Sequence, residues 1–457
     1  MIKEPFYCID LFAGAGGLSE GFKQEKFELT AQIEMNKWAC DTLSVRLLYH
    51  KLKSLNKLYY YYKYLQEKAS ILQLLDKFPE IEKEISNTII QATFGEDNFD
   101  EIVAKIKCNI KSKNVKKVHV ILSGPPCQPY SLIGRARDPD RMENDERHYL
   151  YRYYLKILEL FKPDFFIYEN VPGLFSAKVK GEKIFTRMIT DFSSLTPAYE
   201  IMPPMDKVIK NPGSFILNSA DFGVPQIRRR LFLIGFKMHL KKQHRDITGL
   251  FSKIQGYGIE NRKRGYLFIR DAIEDFPQLK PGEGNDEWWG PYSSSRIYNT
   301  YQQRMRRNSP GVLNHRARLH MKSDLERYKF FISNSMKEKG RITLRDLIKK
   351  KPEIIPNHKH LDKFIDRFRV QRWEQPASTI TAHIRKDGHS YIHPDINQCR
   401  SFTAREAARC QSFPDNFKFV GPRTQQFLQI GNAVPPLMAR HIARLLRREL
   451  EIIYGKG

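Results

Sequence analysis

The first 34 residues leave the chain little choice of fold. Residues 6–12 (FYCIDLF) form an apolar run of strand length that passes straight into AGAGG. Glycines directly after a buried strand let the backbone turn sharply and approach a ligand at the start of a helix. Residues 18–23 supply that helix. Residues 27–34 (FELTAQIE) alternate apolar and other residues through Phe27, Leu29, Ala31 and Ile33, which predicts a second strand. Strand, glycine turn, helix and strand together open an α/β fold with a parallel sheet. The rhythm continues with strand patterns at 118–123 (VHVILS), 165–168 (FFIY) and 231–236 (LFLIGF), and with helical spacing over 149–161. It holds to about residue 236.

Two stretches depart from it. Within 44–110, Leu48, Leu52, Leu55 and Leu58 recur at three or four residues, so a helical insertion over about 45–95 is expected, broken near Pro79. It carries many lysines and the tyrosine run 59–62. The favoured reading is an ordinary amphipathic insertion, with an extra nucleic-acid surface as the alternative. Residues 237–400 are rich in Arg, Lys, Gly, Ser and Asn, with an aromatic patch at Trp288, Trp289 and Tyr292, and read as a second domain. Order returns at 403–410, and a helix over 436–453 ends the chain.

A chain of 457 residues with 41% hydrophobic residues can bury a substantial core. Its formal net charge of +26 would repel itself without an anionic partner, and nucleic acid is the first candidate. The six cysteines form no CxxC pair, which argues against a zinc site and a disulfide framework and fits a reducing cytosol. No h-region of a signal peptide and no apolar run approaching 18 residues is seen, so a membrane is not expected as partner.

Five motifs carry chemistry. The first is the turn Ala13-Gly14-Ala15-Gly16-Gly17 behind Asp10, Leu11 and Phe12. Glu34 follows Gly16 by 18 residues, near the roughly 20-residue spacing at which a carboxylate reaches ribose hydroxyls. The pattern GxGG lacks the GxGxxG of a dinucleotide site, so a nucleoside ligand without pyrophosphate, such as S-adenosylmethionine, fits better. The second is Gly124-Pro125-Pro126-Cys127-Gln128-Pro129-Tyr130-Ser131 after a predicted strand. Ligands bind beyond the carboxyl ends of such strands, and a cysteine held there by prolines is placed to attack as a thiolate. The ordinary alternative is a small buried cysteine. The third is Glu169-Asn170-Val171-Pro172-Gly173, whose carboxyl, if buried, keeps a proton towards neutral pH and serves as a general acid or anchor. The fourth is Gln226-Ile227-Arg228-Arg229-Arg230. Two arginines two apart on a strand point the same way, so both guanidiniums are expected in one cleft. The fifth is Gln429-Ile430-Gly431-Asn432-Ala433-Val434-Pro435-Pro436, with Pro436 well placed to open a helix.

In this order, with REAARCQSFPDNF between the last two, the motifs resemble the DNA cytosine-5 methyltransferase family of prokaryotic restriction–modification type. The resemblance spans the chain, and PPCQ followed by ENV is its most specific part. It implies a Rossmann-like methyltransferase domain with a mixed, mostly parallel sheet over 1–236. It further implies a smaller irregular target-recognition domain over 237–424 and a segment, 425–457, completing the catalytic domain. It implies that Cys127 adds to carbon 6 of a flipped-out cytosine, that Glu169 hydrogen-bonds or protonates N3, and that Arg228 and Arg230 contact the base, with Arg230 the better placed for O2. Asn170 and Val171 shape the pocket. Phe12, Ala13, Gly14, Ala15, Gly16, Gly17, Glu34, Met35, Pro126, Asn432 and Ala433 line the methyl donor, with Asp97, or else Asp100, on its adenine. Gln128, Ser131 and Gln226 contact DNA. The implied cofactor is S-adenosylmethionine, leaving S-adenosylhomocysteine, with no metal. The implied partner is duplex DNA, bound by a monomer in the prokaryotic cytosol, with a cognate restriction endonuclease as genetic partner. The rival within the fold is a tRNA cytosine-5 methyltransferase. Its Cys-Phe-Thr signature is missing, since the chain has only Ser401-Phe402-Thr403. A catalytically dead DNA-binding module would be expected to lose Cys127 or Glu169. A zinc-dependent deaminase needs a P-C-x-x-C that PPCQPYS lacks.

Overall fold

The computed structural model describes residues 5–126, 150–179, 182–202, 212–292, 297, 299–337, 340–357 and 361–455. Five parallel strands, β1 (Phe6–Leu11), β2 (Phe27–Glu34), β3 (Ile89–Gln91), β4 (Val120–Ser123) and β5 (Phe165–Asn170), lie in the order β3-β2-β1-β4-β5. The strands β6 (Lys178–Val179) and β7 (Glu182–Lys183) form a separate small hairpin. Three strands complete the main sheet: β8 (Tyr199–Met202), β9 (Ile216–Asn218) and β10 (Arg229–Lys237). β10 runs antiparallel to β5, β8 and β9, which makes the sheet mixed and mostly parallel, as expected.

Side chains alternate across the sheet because successive strand residues face opposite sides. Phe6, Cys8, Val120, Leu122, Phe165, Ile167, Phe232 and Ile234 share one core. Ile9, Leu11, Ile121, Phe166, Tyr168, Leu231 and Leu233 share the other. The second strand breaks the expected pattern. Cys8 pairs with Leu29 but Ile9 with Ala31, so Thr30 is an extra residue in a bulge. The bulge turns Phe27 and Leu29 to one core and Ala31 and Ile33 to the other, although their spacing of two predicts a single face. The Thr30 hydroxyl donates to the Cys8 carbonyl at 3.0 Å.

The helix α1 (Gly17–Gln24) joins β1 to β2, the helices α2 (Lys37–Ser54), α3 (Leu58–Leu65), α4 (Ile71–Lys77) and α5 (Pro79–Thr88) fill the connection from β2 to β3, and α6 (Phe99–Ser112) precedes β4. The insertion is helical as expected, but Pro79 starts α5 at its first position, where a missing N–H costs nothing. α7 (Leu150–Phe161) and α8 (Ile184–Ser193) cover the second core. The first core does not end at β10. Leu240, Leu250, Phe251 and Ile254 join it, the last three from α9 (Leu250–Lys263), as do Ile269, Ala272 and Ile273.

Beyond it, β11 (Gly284–Gly290) pairs with β12 (Val312–Arg316), and α10 (Lys322–Lys337) carries a smaller core with Tyr328, Phe331 and Phe368. The end of the chain returns through α11 (Ala404–Cys410), α12 (Arg423–Asn432) and α13 (Pro436–Ile453). Thr403 caps α11 and Glu406 closes the capping box. Arg400, Arg405 and Arg409 are fully buried around it. Arg409 meets Asp275 at 2.8 Å and Asp415 at 2.5 Å, while Arg400 meets Glu406 at 2.7 Å. Arg405 instead donates to the backbone carbonyls of Leu313, Pro414 and Phe417, so each of the three buried guanidiniums has acceptors.

Candidate active site

Sheet order alone points to a ligand position. The chain builds outward from β1 to β2 and β3, then returns to place β4 on the other side of β1. Loops after β1 and β4 therefore leave in opposite directions and open a crevice beyond their carboxyl ends. The glycine turn follows β1 and Gly124-Pro125-Pro126 follows β4, so both motifs face that crevice.

The turn takes the backbone through left-handed conformations at Phe12 (φ 57°), Gly14 (φ 55°) and Gly16 (φ 79°). It is closed by Ala13 N–H to the Ile33 carbonyl at 3.0 Å and Gly16 N–H to the Ala13 carbonyl at 2.8 Å. The Glu34 carboxylate at the end of β2 accepts from Gly14 N–H and from Asn36 N–H, both at 2.8 Å. Burial raises its pKa, and those N–H donors work against the rise. A Cβ placed on Gly14 would meet nothing within 4 Å, so the turn is open on that side. On Gly17 it would lie 2.2 Å from the Val434 carbonyl and 3.2 Å from the Ala433 Cβ. The fifth motif is thereby seated on the first, with Asn432 exposed beside buried Ala433. Ala15 is buried behind the turn, and the Phe12 ring packs against Phe94 at 5.2 Å. Met35, Asp97 and Asp100 are exposed. A carboxylate at the strand end, open backbone and an adjoining amide suit the ribose and amino-acid parts of a nucleoside ligand. Beneath the turn, Ser19 donates to Asp10, and Gln32 donates to Ser19 at 2.8 Å. Burial lifts the Asp10 carboxyl to about 7, with the Ser19 hydrogen bond opposing it.

On the other side of the crevice, Cys127, Gln128 and Ser131 lie outside the described residues, which run to Pro126 after β4. Glu169 and Asn170 are not beyond β5, as their motif suggested, but form its last two residues. Glu169 is 7% exposed. Burial raises its pKa, while Arg230 and then Arg228 lower it. Arg230 Nε stands 3.1 Å from Glu169 Oε1. Gly124 lies beside this carboxyl, since a Cβ there would sit 3.4 Å from Oε2, an ordinary contact distance. Asn170 Oδ1 accepts from Val171 N–H at 2.8 Å. Among the described residues its buried Nδ2 has no hydrogen-bond partner, and neither has Ser123 Oγ.

The polar side chains of the fourth motif divide between the crevice and the interior. Arg228 and Arg230 both act on the Glu169 carboxyl, with Arg230 beside it at the start of β10 and Arg228, just before the strand, set deeper. Arg228 is buried and donates to the carbonyls of Ile380 at 2.7 Å and Gly431 at 3.0 Å. Gln226 is fully buried rather than presented to DNA. Its amide donates to Gln411 Oε1 at 2.9 Å and accepts from Ile380 N–H at 2.8 Å. Both side chains tie the returning chain end to the sheet, because a buried polar group needs partners and carbonyls of that segment are the nearest.

Comparison with known proteins places these features in context. The family model of the C-5 cytosine-specific DNA methylases matches residues 6–64 and 79–448. Type II methyltransferase M.Bpa9945I of Bacillus paralicheniformis is 38% identical over 96% of this chain and 98% of its own length. Type II methyltransferase M.DdeI of Desulfomicrobium norvegicum is 30% identical over 95% of this chain and 87% of its own. A crystal structure described as a candidate DNA modification methyltransferase of an E. coli prophage shares the fold, with a TM-score of 0.61 at 22% identity over 98% of this chain and 99% of that one. Among the described residues no helix is long and apolar enough to cross a membrane.

Proposed function

Because this chain belongs to the C-5 cytosine-specific DNA methylase family and is a DNA cytosine-5 methyltransferase of restriction–modification type, we propose that it works through a covalent adduct between Cys127 and a flipped-out cytosine. Carbons 5 and 6 are inaccessible inside the stack, so the base must leave it at a cost of about a few kcal/mol. The Cys127 thiolate adds to C6 and forms an S–C6 bond, and the C5–C6 electron pair moves to C5 and on towards N3. Glu169 holds or protonates N3 as that charge develops. The observation that carries this reading is the buried Glu169 carboxyl, its pKa raised by burial, at the strand end beside the GPPC loop. Arg230 holds the Glu169 carboxyl in place and lies nearest to the base O2. Arg228 acts behind it by fixing the Ile380 and Gly431 backbone.

The family implies S-adenosylmethionine as methyl donor, which when bound supplies an electrophilic methyl group to C5. Phe12, Gly14, Gly16, Glu34, Pro126, Asn432 and Ala433 hold it at the crevice, with Asp97 or Asp100 towards its adenine. Loss of the C5 proton and expulsion of Cys127 then restore the aromatic ring. Target recognition belongs to side chains within 237–424, whose first helices are packed into the catalytic core. Residues 425–457 complete the catalytic unit. We further propose that the enzyme acts as a monomer in the cytosol and protects host DNA against a cognate endonuclease.

The deciding assay is transfer of labelled methyl from S-adenosylmethionine to mixed-sequence duplex DNA and to tRNA, followed by bisulfite sequencing. Label confined to cytosines of one short DNA motif is the expected result, and label in tRNA alone would refute the assignment of substrate. Cys127→Ser should abolish transfer and leave DNA binding intact. Near-normal turnover by that variant would remove Cys127 as the nucleophile.

A further inference from the structure

The sequence of the insertion divides its charges. Residues 51–68 hold five lysines and five tyrosines against a single carboxylate, Glu67. The structure divides the tyrosines as well. Tyr61 and Tyr64 face inward: the Tyr61 hydroxyl donates to the Asn416 carbonyl at 2.8 Å, and Lys418 covers the Tyr64 ring at 4.3 Å. With Trp288 and Leu313 they pack the insertion onto the hairpin of β11 and β12, so its outer face is held rigidly. Tyr59 faces outward, 62% exposed, while Tyr60 is half-buried against Phe78. Lys63 lies over the Tyr59 ring at 4.7 Å, Lys77 over Tyr60 at 4.4 Å and Lys57 over Phe78 at 5.0 Å.

A merely solvated helix face sets carboxylates one turn from its lysines. Among the described residues Lys53, Lys57, Lys63 and Lys77 have no carboxylate within ion-pair distance, whereas Lys51, on the inner side, pairs with Glu84 at 2.7 Å. Cations aligned on aromatic rings with no internal counter-charge are available to an external anion. The end of α2, the loop to α3 and the outward side of α3 form one such surface.

We infer that this surface is a second contact for duplex DNA, engaging phosphates beyond the base pairs held at the catalytic crevice. The inference rests on the DNA methyltransferase reading above. Phosphate contact by lysine carries no sequence information, but it lengthens the footprint and steepens the salt dependence of binding.

The test uses the full chain and two duplexes with the mapped methylation site at their centre. One spans about one and a half helical turns and the other about four turns. Binding is measured over a range of salt for the native protein, for the triple variant Lys53→Gln/Lys57→Gln/Lys63→Gln, and for Tyr59→Ala as an uncharged check on the same face. On the long duplex the triple variant should bind more weakly, with the slope of log K against log salt smaller by about 0.9 per lysine removed. On the short duplex affinity and turnover should stay native. An unchanged slope on the long duplex, or an equal loss on both, would overturn the inference. So would lysine-dependent binding to phosphatidylserine vesicles without any change on DNA. Failure of the underlying reading would look different, as absence of methyl label in any DNA with the native protein.

Discussion

Glu169 shows how one residue's surroundings set its chemistry. Burial at the end of β5 disfavours its charge, the Arg230 guanidinium 3.1 Å away favours it, and burial wins, so the pKa rises. A carboxyl in that balance keeps its proton to higher pH than an exposed glutamate does, which suits a group that must give a proton or a hydrogen bond. Glu169→Gln keeps the shape and an N–H donor but has no proton to give. Single-turnover methyl transfer should fall by about 10²–10⁴-fold, the range for loss of a general acid, while DNA affinity stays within a few fold. A variant that transferred at the native rate would leave Glu169 with a purely structural part.

At the scale of elements, the site depends on how closely α1 and α13 approach. A Cβ on Gly21 of α1 would lie 2.4 Å from the Arg440 backbone nitrogen and 2.5 Å from the Ala439 Cβ. Both neighbours belong to α13, whose entry segment presses Ala433 and Val434 against the glycine turn. Gly21→Ala must push the helices apart, and the Gly17 contact with Val434 opens with them. Overpacking of this kind costs about 1–3 kcal/mol. We expect that loss in the urea midpoint together with weaker binding of S-adenosylmethionine. An unshifted midpoint would mean that the two helices slide past each other freely.

For the whole molecule the informative variable is pH. Burial is the leading cause that lowers the pKa of His50, His315 and His320 to about 4 and of His393 and His441 to about 3. Both ring nitrogens of His315 are engaged, with Thr403 Oγ1 at 2.9 Å and the Pro277 carbonyl at 3.1 Å. Below about 6.5, the unfolded-chain value, unfolded histidines take up protons that the folded ones refuse. Their contribution to stability is therefore complete above that pH and is lost as pH falls towards 4. Asp10, raised to about 7, and the raised Glu34 and Glu169 act in the opposite sense, since the fold keeps protons that the unfolded chain releases. With His389, lowered for the same reason, six histidines outnumber three carboxyls, so the protein should lose stability on going from pH 6.5 to 5. The expected slope is about 1.4 kcal/mol per pH unit for each net proton taken up on unfolding. Urea midpoints at pH 7 and pH 5 check this, and equal midpoints would show that these histidines are not held neutral.

The strands β1, β2, β4, β5 and β10, the glycine turn and the terminal helix were legible in the sequence because each rests on a local signal. These signals are apolar alternation or runs, glycine placement, and proline at a helix start. The chemical identity of Cys127, Glu34 and Glu169 as candidates came from motifs just as local. Where the polar side chains of QIRRR point was not local. Gln226 and Arg228 look like DNA contacts in the sequence, yet their partners are backbone groups of Ile380 and Gly431, more than 150 residues away, and such pairing exists only once the chain end has returned to the sheet. The Thr30 bulge and the position of Gly124 beside Glu169 likewise follow from strand pairing. Sequence thus determined these elements and the candidate reactive groups, because short-range sterics and hydrophobic period are written residue by residue. Tertiary structure alone decided which polar groups face the crevice and which lock the fold, because satisfying a buried donor depends on what long-range packing brings beside it.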